Sequence, residues 1–175
     1  KEDIAAGLAA LEADGDPAAE EKRAELKAMD ICADALVAFA RRHAEKAREL
    51  AAAEPDPVRR RELAELAAVC ERVPAEAPRT FREALQHYWF VHLGVITELN
   101  PWDSFNPGRL DQHLYPFYAR GLADGSLTED AARELLQCFW IKFNNQPAPP
   151  KVGVTAAESG TYTDFALINT GGLTS

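Results

Sequence analysis

From Ala84 to Leu99 the chain is apolar almost all round, with Leu85, Tyr88, Trp89, Phe90, Val91, Leu93, Val95 and Ile96 leaving no polar stripe. A soluble helix without a polar face must be enclosed on most sides, so this one predicts a central element with other protein packed around it. It runs directly into a polar stretch, Glu98 to Tyr118, interrupted by Pro101, Pro107 and Gly108, that leaves through an aromatic segment. Polar groups placed between two buried segments must be paired. Glu98, Asn100, Ser104, Arg109, Asp111 and Gln112 therefore read as one network, in which Arg109 offers a planar fork of donors and Asp111 or Glu98 the matching carboxylate. Structural pairing is the usual outcome for such a cluster, which makes it the support of a site rather than its surface.

The rest of the composition bounds the setting. A 47% hydrophobic, 27% charged chain of 175 residues belongs to the soluble globular class and suits one domain or part of one. A formal net charge of −9 with no basic cluster argues against nucleic acid and against anionic membranes. No apolar run approaches a membrane span, and the start of the chain has no signal-peptide pattern, so a cytoplasmic protein is expected. Cys32, Cys70 and Cys138 are widely separated inside helical apolar patterns, which suits small buried thiols in a reducing compartment better than disulfides or a metal knot.

Read in order, Ile4, Leu8 and Leu11 mark residues 1–12 as the end of a helix begun ahead of Lys1. Asp16-Pro17 predicts a cap and start for a long amphipathic helix to about Ala52, with Leu26, Met29, Cys32 or Ala33, Leu36, Ala40, His43, Ala47 and Leu50 on its buried face. Asp56-Pro57 repeats the signal for a shorter helix through Leu63, Leu66, Ala67, Cys70 and Val73, paired antiparallel with the first. Pro74 and Pro78 bracket an extended link to the capping box Thr80-Phe81-Arg82-Glu83, which opens the enclosed helix. A short helix from about Leu110 to Arg120, a Gly125 turn and a Thr128-capped helix ending near Asn144-Asn145 follow. Residues 146–175 carry a Pro-rich crossing and then the threonines, valines and glycines of short strands and turns. The expected organisation is thus a helical hairpin region over 1–73, central helices with the polar loop over 74–145, and a strand-and-turn segment over 146–175, all inside one domain.

Most familiar site chemistries are missing from the pattern. His87 and His92 lie five apart rather than the four that puts two ligands on one helix face, so no metal site is expected. No Gly-rich phosphate cradle, Gly-x-Ser-x-Gly elbow or Cys-x-x-Cys occurs, and no cysteine has the electropositive setting of a reactive thiol. Thr161, Tyr162, Thr163, Asp164 and Phe165 mix hydroxyls, a carboxylate and aromatics ahead of Gly171-Gly172, as either a pocket wall or an ordinary strand and turn would.

Glu98-x-Asn100, Ser104 and Gly108-Arg109-Leu110-Asp111-Gln112-x-Leu114-Tyr115-Pro116-Phe117-Tyr118 resemble the glycyl radical enzymes of the pyruvate formate-lyase type. The resemblance continues through Val73-Pro74-Ala75, Thr80 to Gln86, Gly125-x-Leu127-Thr128, Glu134-Leu135-Leu136-x-Cys138, Trp140 to Asn144 and Ile168-Asn169-x-Gly171-Gly172. It implies a mostly α piece of an α/β protein, the outer helices and first strands of a ten-stranded α/β barrel. It further implies a glycyl radical installed by a radical S-adenosylmethionine activating enzyme carrying an iron-sulfur cluster, a small-molecule substrate and a homodimeric parent. The thiyl cysteine and radical glycine of the family lie beyond the Gly171-Gly172 region, so the chain alone is expected to be catalytically inert. Counting back from Gly171, the resemblance puts Phe165 at a substrate-facing aromatic position, with Tyr162 and Thr161 as neighbours, and leaves Glu98, Asn100, Ser104, Arg109, Asp111 and Gln112 as the network beneath. The run Asn144 to Thr155 through Glu158 to Phe165, with Asn106-Pro107-Gly108, is more similar to the branch of choline trimethylamine-lyase, isethionate sulfite-lyase and arylacetate decarboxylases. Radical elimination with C–N or C–S cleavage is the implied reaction, with formate C-acetyltransferase activity or an inert helical scaffold as alternatives; packaging in a bacterial microcompartment is left open.

Overall fold

The computed structural model describes residues 1–13, 17–99, 106–144, 168, 170 and 171. Helix α1 (Glu2–Ala13) is followed by α2 (Ala19–Ala53), α3 (Pro57–Arg72), α4 (Phe81–Gly94), a π-helical turn (Val95–Leu99), α5 (Leu110–Asp124) and α6 (Glu129–Asn144). Among the described residues none forms a strand, and no helix is long and apolar enough to cross a membrane. The strand-and-turn expectation for 146–175 falls almost wholly outside the described residues.

Helices α1, α2 and α3 run up, down and up. Lys1 reaches Asp30 at 3.1 Å and Asp34 at 2.5 Å, while the Gly7 end of α1 lies against Leu26, as an antiparallel pair requires. The second hairpin turns at Glu54–Asp56, and there the Asp56 side chain accepts from the Val58 amide at 3.0 Å with Pro57 at the first helical position. The first cap differs from expectation: α2 starts at Ala19 with Ala18 as its cap and no side-chain hydrogen bond there. A proline at position 17 fits the turn ahead of the helix as well as its first residue, and sequence alone did not separate the two.

The buried stripe of α2 also departs from expectation. Ala40, Ala44, Ala47 and Ala51 are buried against Leu63, Ala67 and Cys70 of α3, whereas Met29, Cys32, His43 and Leu50 are exposed. Two rows one residue apart share Ala40 and Ala47, and the row made of alanines lets the two backbones approach without crowding. Arg48 and Glu71 close the seam with an ion pair at the surface.

The Thr80 cap opens α4 as expected, its hydroxyl accepting from the Glu83 amide at 3.2 Å. The reciprocal bond shifts one residue outward: Glu83 Oε2 accepts from the Arg79 amide at 2.6 Å. No residue from Phe81 to Thr97 is exposed, which is the enclosure that the apolar sequence required. Phe90 packs edge-on to Phe39 and His43 of α2, while Phe81, Leu85 and Trp89 join Leu110, Leu114, Ala132 and Phe139 in the main core. Arg120 of α5 crosses back to donate to the Arg79 carbonyl at 2.9 Å. Helix α5 extends past the expected Arg120 to Asp124 and stops at Gly125 (φ 76°), after which Thr128 caps α6 through the Ala131 amide at 3.1 Å.

Gly121 lies where α5 meets this turn. The Leu127 amide donates to its carbonyl at 3.0 Å, and a Cβ at Gly121 would stand 2.8 Å from Leu127 Cβ. Because that neighbour is attached directly to backbone, it cannot swing away. Gly121→Ala should gain about 1 kcal/mol of helix propensity but lose about 1–3 kcal/mol to overpacking, a net fall in thermal midpoint. An unchanged or raised midpoint would show that the turn yields freely.

Candidate functional site

Among the described residues, the first turn of α5 gathers the polar groups of this region. Gly108 (φ 65°) turns the chain into Arg109, the helix cap, and Leu110 and Leu114 anchor the turn in the core. Asp111 thereby stands in the first helical turn, where the amide dipoles favour a negative charge. Ile168 packs onto the α4–α5–α6 core, and three residues on the Gly171 amide donates to Asp111 Oδ2 at 2.8 Å. Gly171 has φ 85°, a left-handed conformation open chiefly to glycine. The other carboxylate oxygen, Oδ1, is buried and has no hydrogen-bond partner among the described residues.

Beside this contact runs an open groove of about 260 Å³, almost wholly apolar, between α5 and α6. Phe81, Leu114, Tyr118, Leu136 and Trp140 line it, and Asp111 and Thr170 stand at its polar end.

The expected network is only partly assembled among the described residues. Arg109, Gln112 and Glu98 are exposed, and no ion pair joins Arg109 to Asp111 or Glu98. Residues two apart at a helix start do not face one another, which separates Arg109 from Asp111. Glu98 is carried to the surface by the π turn, whose Thr97 hydroxyl donates to the Leu93 carbonyl at 2.6 Å. Asn100, Ser104, Thr161, Tyr162 and Phe165 lie outside the described residues. The tie from Asp111 to Gly171 was missed; it spans 60 positions, and a glycine pair signals only a permissive turn.

His92 is 1% exposed, with the Tyr88 hydroxyl 3.2 Å from its Nδ1, stacking on Trp89 at 5.2 Å and a Phe143 ring at 4.9 Å. Burial pushes the Tyr88 phenol and the Cys70 thiol up, so neither ionises readily. Cys70 is buried as expected, but Cys32 and Cys138 are exposed, since each sits off the stripe that its helix buries. Among the described residues no group of three His, Cys, Asp or Glu could hold a metal ion.

His87 is half-buried, and its Nδ1 is sealed from solvent with no hydrogen bond among the described residues, so burial lowers its pKa from 6.5. The native chain then binds fewer protons than the unfolded chain just below pH 6.5. Its contribution is therefore complete above the unfolded value and is lost as pH falls through the folded one. His87→Gln should flatten the fall in urea stability between pH 7.5 and 5.5, by no more than about 1.4 kcal/mol per pH unit. Equal slopes for both proteins would remove His87 from the account.

A family model described as pyruvate formate lyase-like matches residues 1–175, and the chain belongs to that family of glycyl radical enzymes. Its fold is a mostly helical part matching structures of that type, which are ten-stranded α/β barrels. The trans-4-hydroxy-L-proline dehydratase of Clostridioides difficile is 56% identical over 173 residues, 99% of this chain and 22% of that protein. The crystal structure of hydroxyproline dehydratase from the same organism, with trans-4-hydroxy-L-proline bound, superposes with a TM-score of 0.91 over 98% of this chain and 22% of the other, at 56% identity. An isethionate sulfite-lyase of Nitratidesulfovibrio vulgaris is 46% identical over 121 residues, 69% of this chain and 15% of that protein. The chain thus spans about a fifth of the length of the curated relatives it matches.

Proposed function

We propose that the parent of this chain is a glycyl radical lyase that eliminates a leaving group from a small, hydroxyl-bearing substrate, and that a hydroxylated cyclic amino acid of the trans-4-hydroxy-L-proline kind is the first substrate to test. The single observation behind this reading is the 56% identity to a trans-4-hydroxy-L-proline dehydratase across 99% of the chain. The reading widens the C–N and C–S cleavage expected from the motifs to include C–O cleavage with loss of water. Isethionate stays as the second substrate on the strength of the sulfite-lyase relative, and choline, which only the motif reading favours, comes third. Formate C-acetyltransferase activity and an inert scaffold draw no specific support.

In this reading the radical, installed on the parent by a radical S-adenosylmethionine activating enzyme with an iron-sulfur cluster, supplies hydrogen-atom abstraction. This chain contributes part of the wall and its support. Phe165, Tyr162 and Thr161 face the substrate, Asp111 holds the support in place through the Gly171 amide, and Glu98, Asn100, Ser104, Arg109 and Gln112 keep the structural role that the resemblance gives them. The parent works in the cytoplasm as a homodimer.

The test is anaerobic activation of the full-length parent followed by product analysis with hydroxyproline, isethionate, choline, and pyruvate with coenzyme A. Water loss from hydroxyproline is the expected result. Sulfite or trimethylamine release in its place would move the enzyme to another branch, and acetyl-CoA and formate would replace the proposal with the acetyltransferase. A protein carrying the radical but turning over none of them would overturn the substrate assignment.

A further inference from the structure

We infer that Asp111 is a positioning residue: its carboxylate pins Gly171 against the first turn of α5, beside Thr170 at the polar end of the groove, and so fixes the support on which the pocket wall rests. The inference rests on the lyase reading given above and adds to it how the pocket wall is held. Ile168 is fastened by its side chain to the α4–α5–α6 core, Thr170 stands at the polar end of the groove beside Asp111, and Gly171 is fastened by its amide to Asp111 Oδ2 at 2.8 Å. One anchor is apolar and sets depth; the other is directional and sets rotation. The left-handed backbone of Gly171 (φ 85°) aims that amide, so the residue type on each side of the bond matters.

The chemistry of Asp111 favours this role over ion pairing. A carboxylate accepting a backbone amide makes a charge-assisted bond, stronger than a neutral one, and it stands at the helix end where its charge is stabilised. Among the described residues Arg109 does not pair with it, and Oδ1 is buried without a partner. Among the described residues, the hydrogen bond that holds Gly171 is therefore the one this carboxylate makes.

The test uses the full-length parent with Asp111→Ala, Asp111→Asn and Gly171→Ala, activated anaerobically. Three quantities are read: hydrogen–deuterium exchange of the peptide covering Ile168 to Gly171, glycyl radical content by electron paramagnetic resonance, and KM and kcat on whichever panel substrate the wild type turns over. Asp111→Ala should speed exchange and raise KM, each by about tenfold or more, with radical content unchanged. Asp111→Asn keeps an oxygen acceptor for the Gly171 amide and should bring KM back to within about threefold of wild type. Gly171→Ala strains the same amide from the other side and should reproduce the KM rise even where Asp111→Ala does not fold.

Unchanged exchange in Asp111→Ala overturns the inference, as does faster exchange with unchanged KM. A loss of radical content shared equally by the alanine and asparagine variants, at constant KM, also overturns it and leaves a purely structural carboxylate. A wild type with radical but no turnover fails the lyase reading instead. The exchange contrast then decides the tie on its own, its presence upholding the pinned stretch and its absence removing it.

Discussion

Phe90→Ala is expected to destabilise the chain by about 3–5 kcal/mol, toward the upper end of that range. Phe90 is 1% exposed and stands where α2, α3 and α4 converge, against Ala40, Ala44 and Cys70, with Phe39 and His43 edge-on at 5.9 and 5.6 Å. The size of the loss depends on how far the neighbours can collapse into the space left behind. Here two of them are alanines without a rotamer to change, the thiol of Cys70 is too small to reach across, and Leu66 alone of the cluster could lean in to fill part of the space. Much of the cavity therefore persists. Urea unfolding of wild type and variant, fitted with a common slope, measures the difference. A loss below about 1 kcal/mol would mean that α4 slides into the seam and that the packing between these three helices is softer than the contacts imply.

Phe165→Ala in the activated parent is expected to lower kcat/KM by about ten- to a hundredfold, the equivalent of losing one buried phenyl contact with the substrate. On the proposed reading the radical signal should stay the same, because a pocket-wall residue acts on the substrate and not on the site that stores the radical. Phe165→Leu, which keeps most of the apolar volume, should recover a good part of the loss. Equal activity of wild type and Phe165→Ala would remove this residue from the pocket wall and shift attention to Tyr162 and Thr161.

How much of this could be read beforehand depended on the range of the interactions. The caps at Asp56, Thr80 and Thr128 are local chemistry, a side-chain oxygen against an amide two or three residues away, and each is where its motif put it. The enclosure of Phe81 to Thr97 followed from the absence of a polar face. The choice between Ala44 and His43 on α2 was different, because both rows are consistent with a helical period and only the partner helix selects one. The π turn at Val95–Leu99 has no composition of its own; an extra residue is accommodated where the enclosed helix meets its exit, and Glu98 emerges from the core there. The Arg109–Asp111 pair is expected from chemistry without geometry, and residues two apart at a helix start do not face one another. Asp111 is expected to be paired, and its partner is a backbone amide, which carries no identity in a sequence.

Helix α2 has 35 residues, about 52 Å at 1.5 Å per residue, and its two halves serve different neighbours. The half around Leu26, Asp30 and Asp34 meets α1, whereas Ala40 to Ala51 meet α3 and α4. It acts as an axle with a fixed phase between its two ends. One residue inserted near Ala35 would advance α1 by about 1.5 Å and swing it through about 100° around the axis, away from its present side of the molecule. Four inserted residues would restore the phase to within about 40° while moving α1 outward by about 6 Å. The relative placement of the two ends is thus a matter of counting: length can vary here only in whole turns.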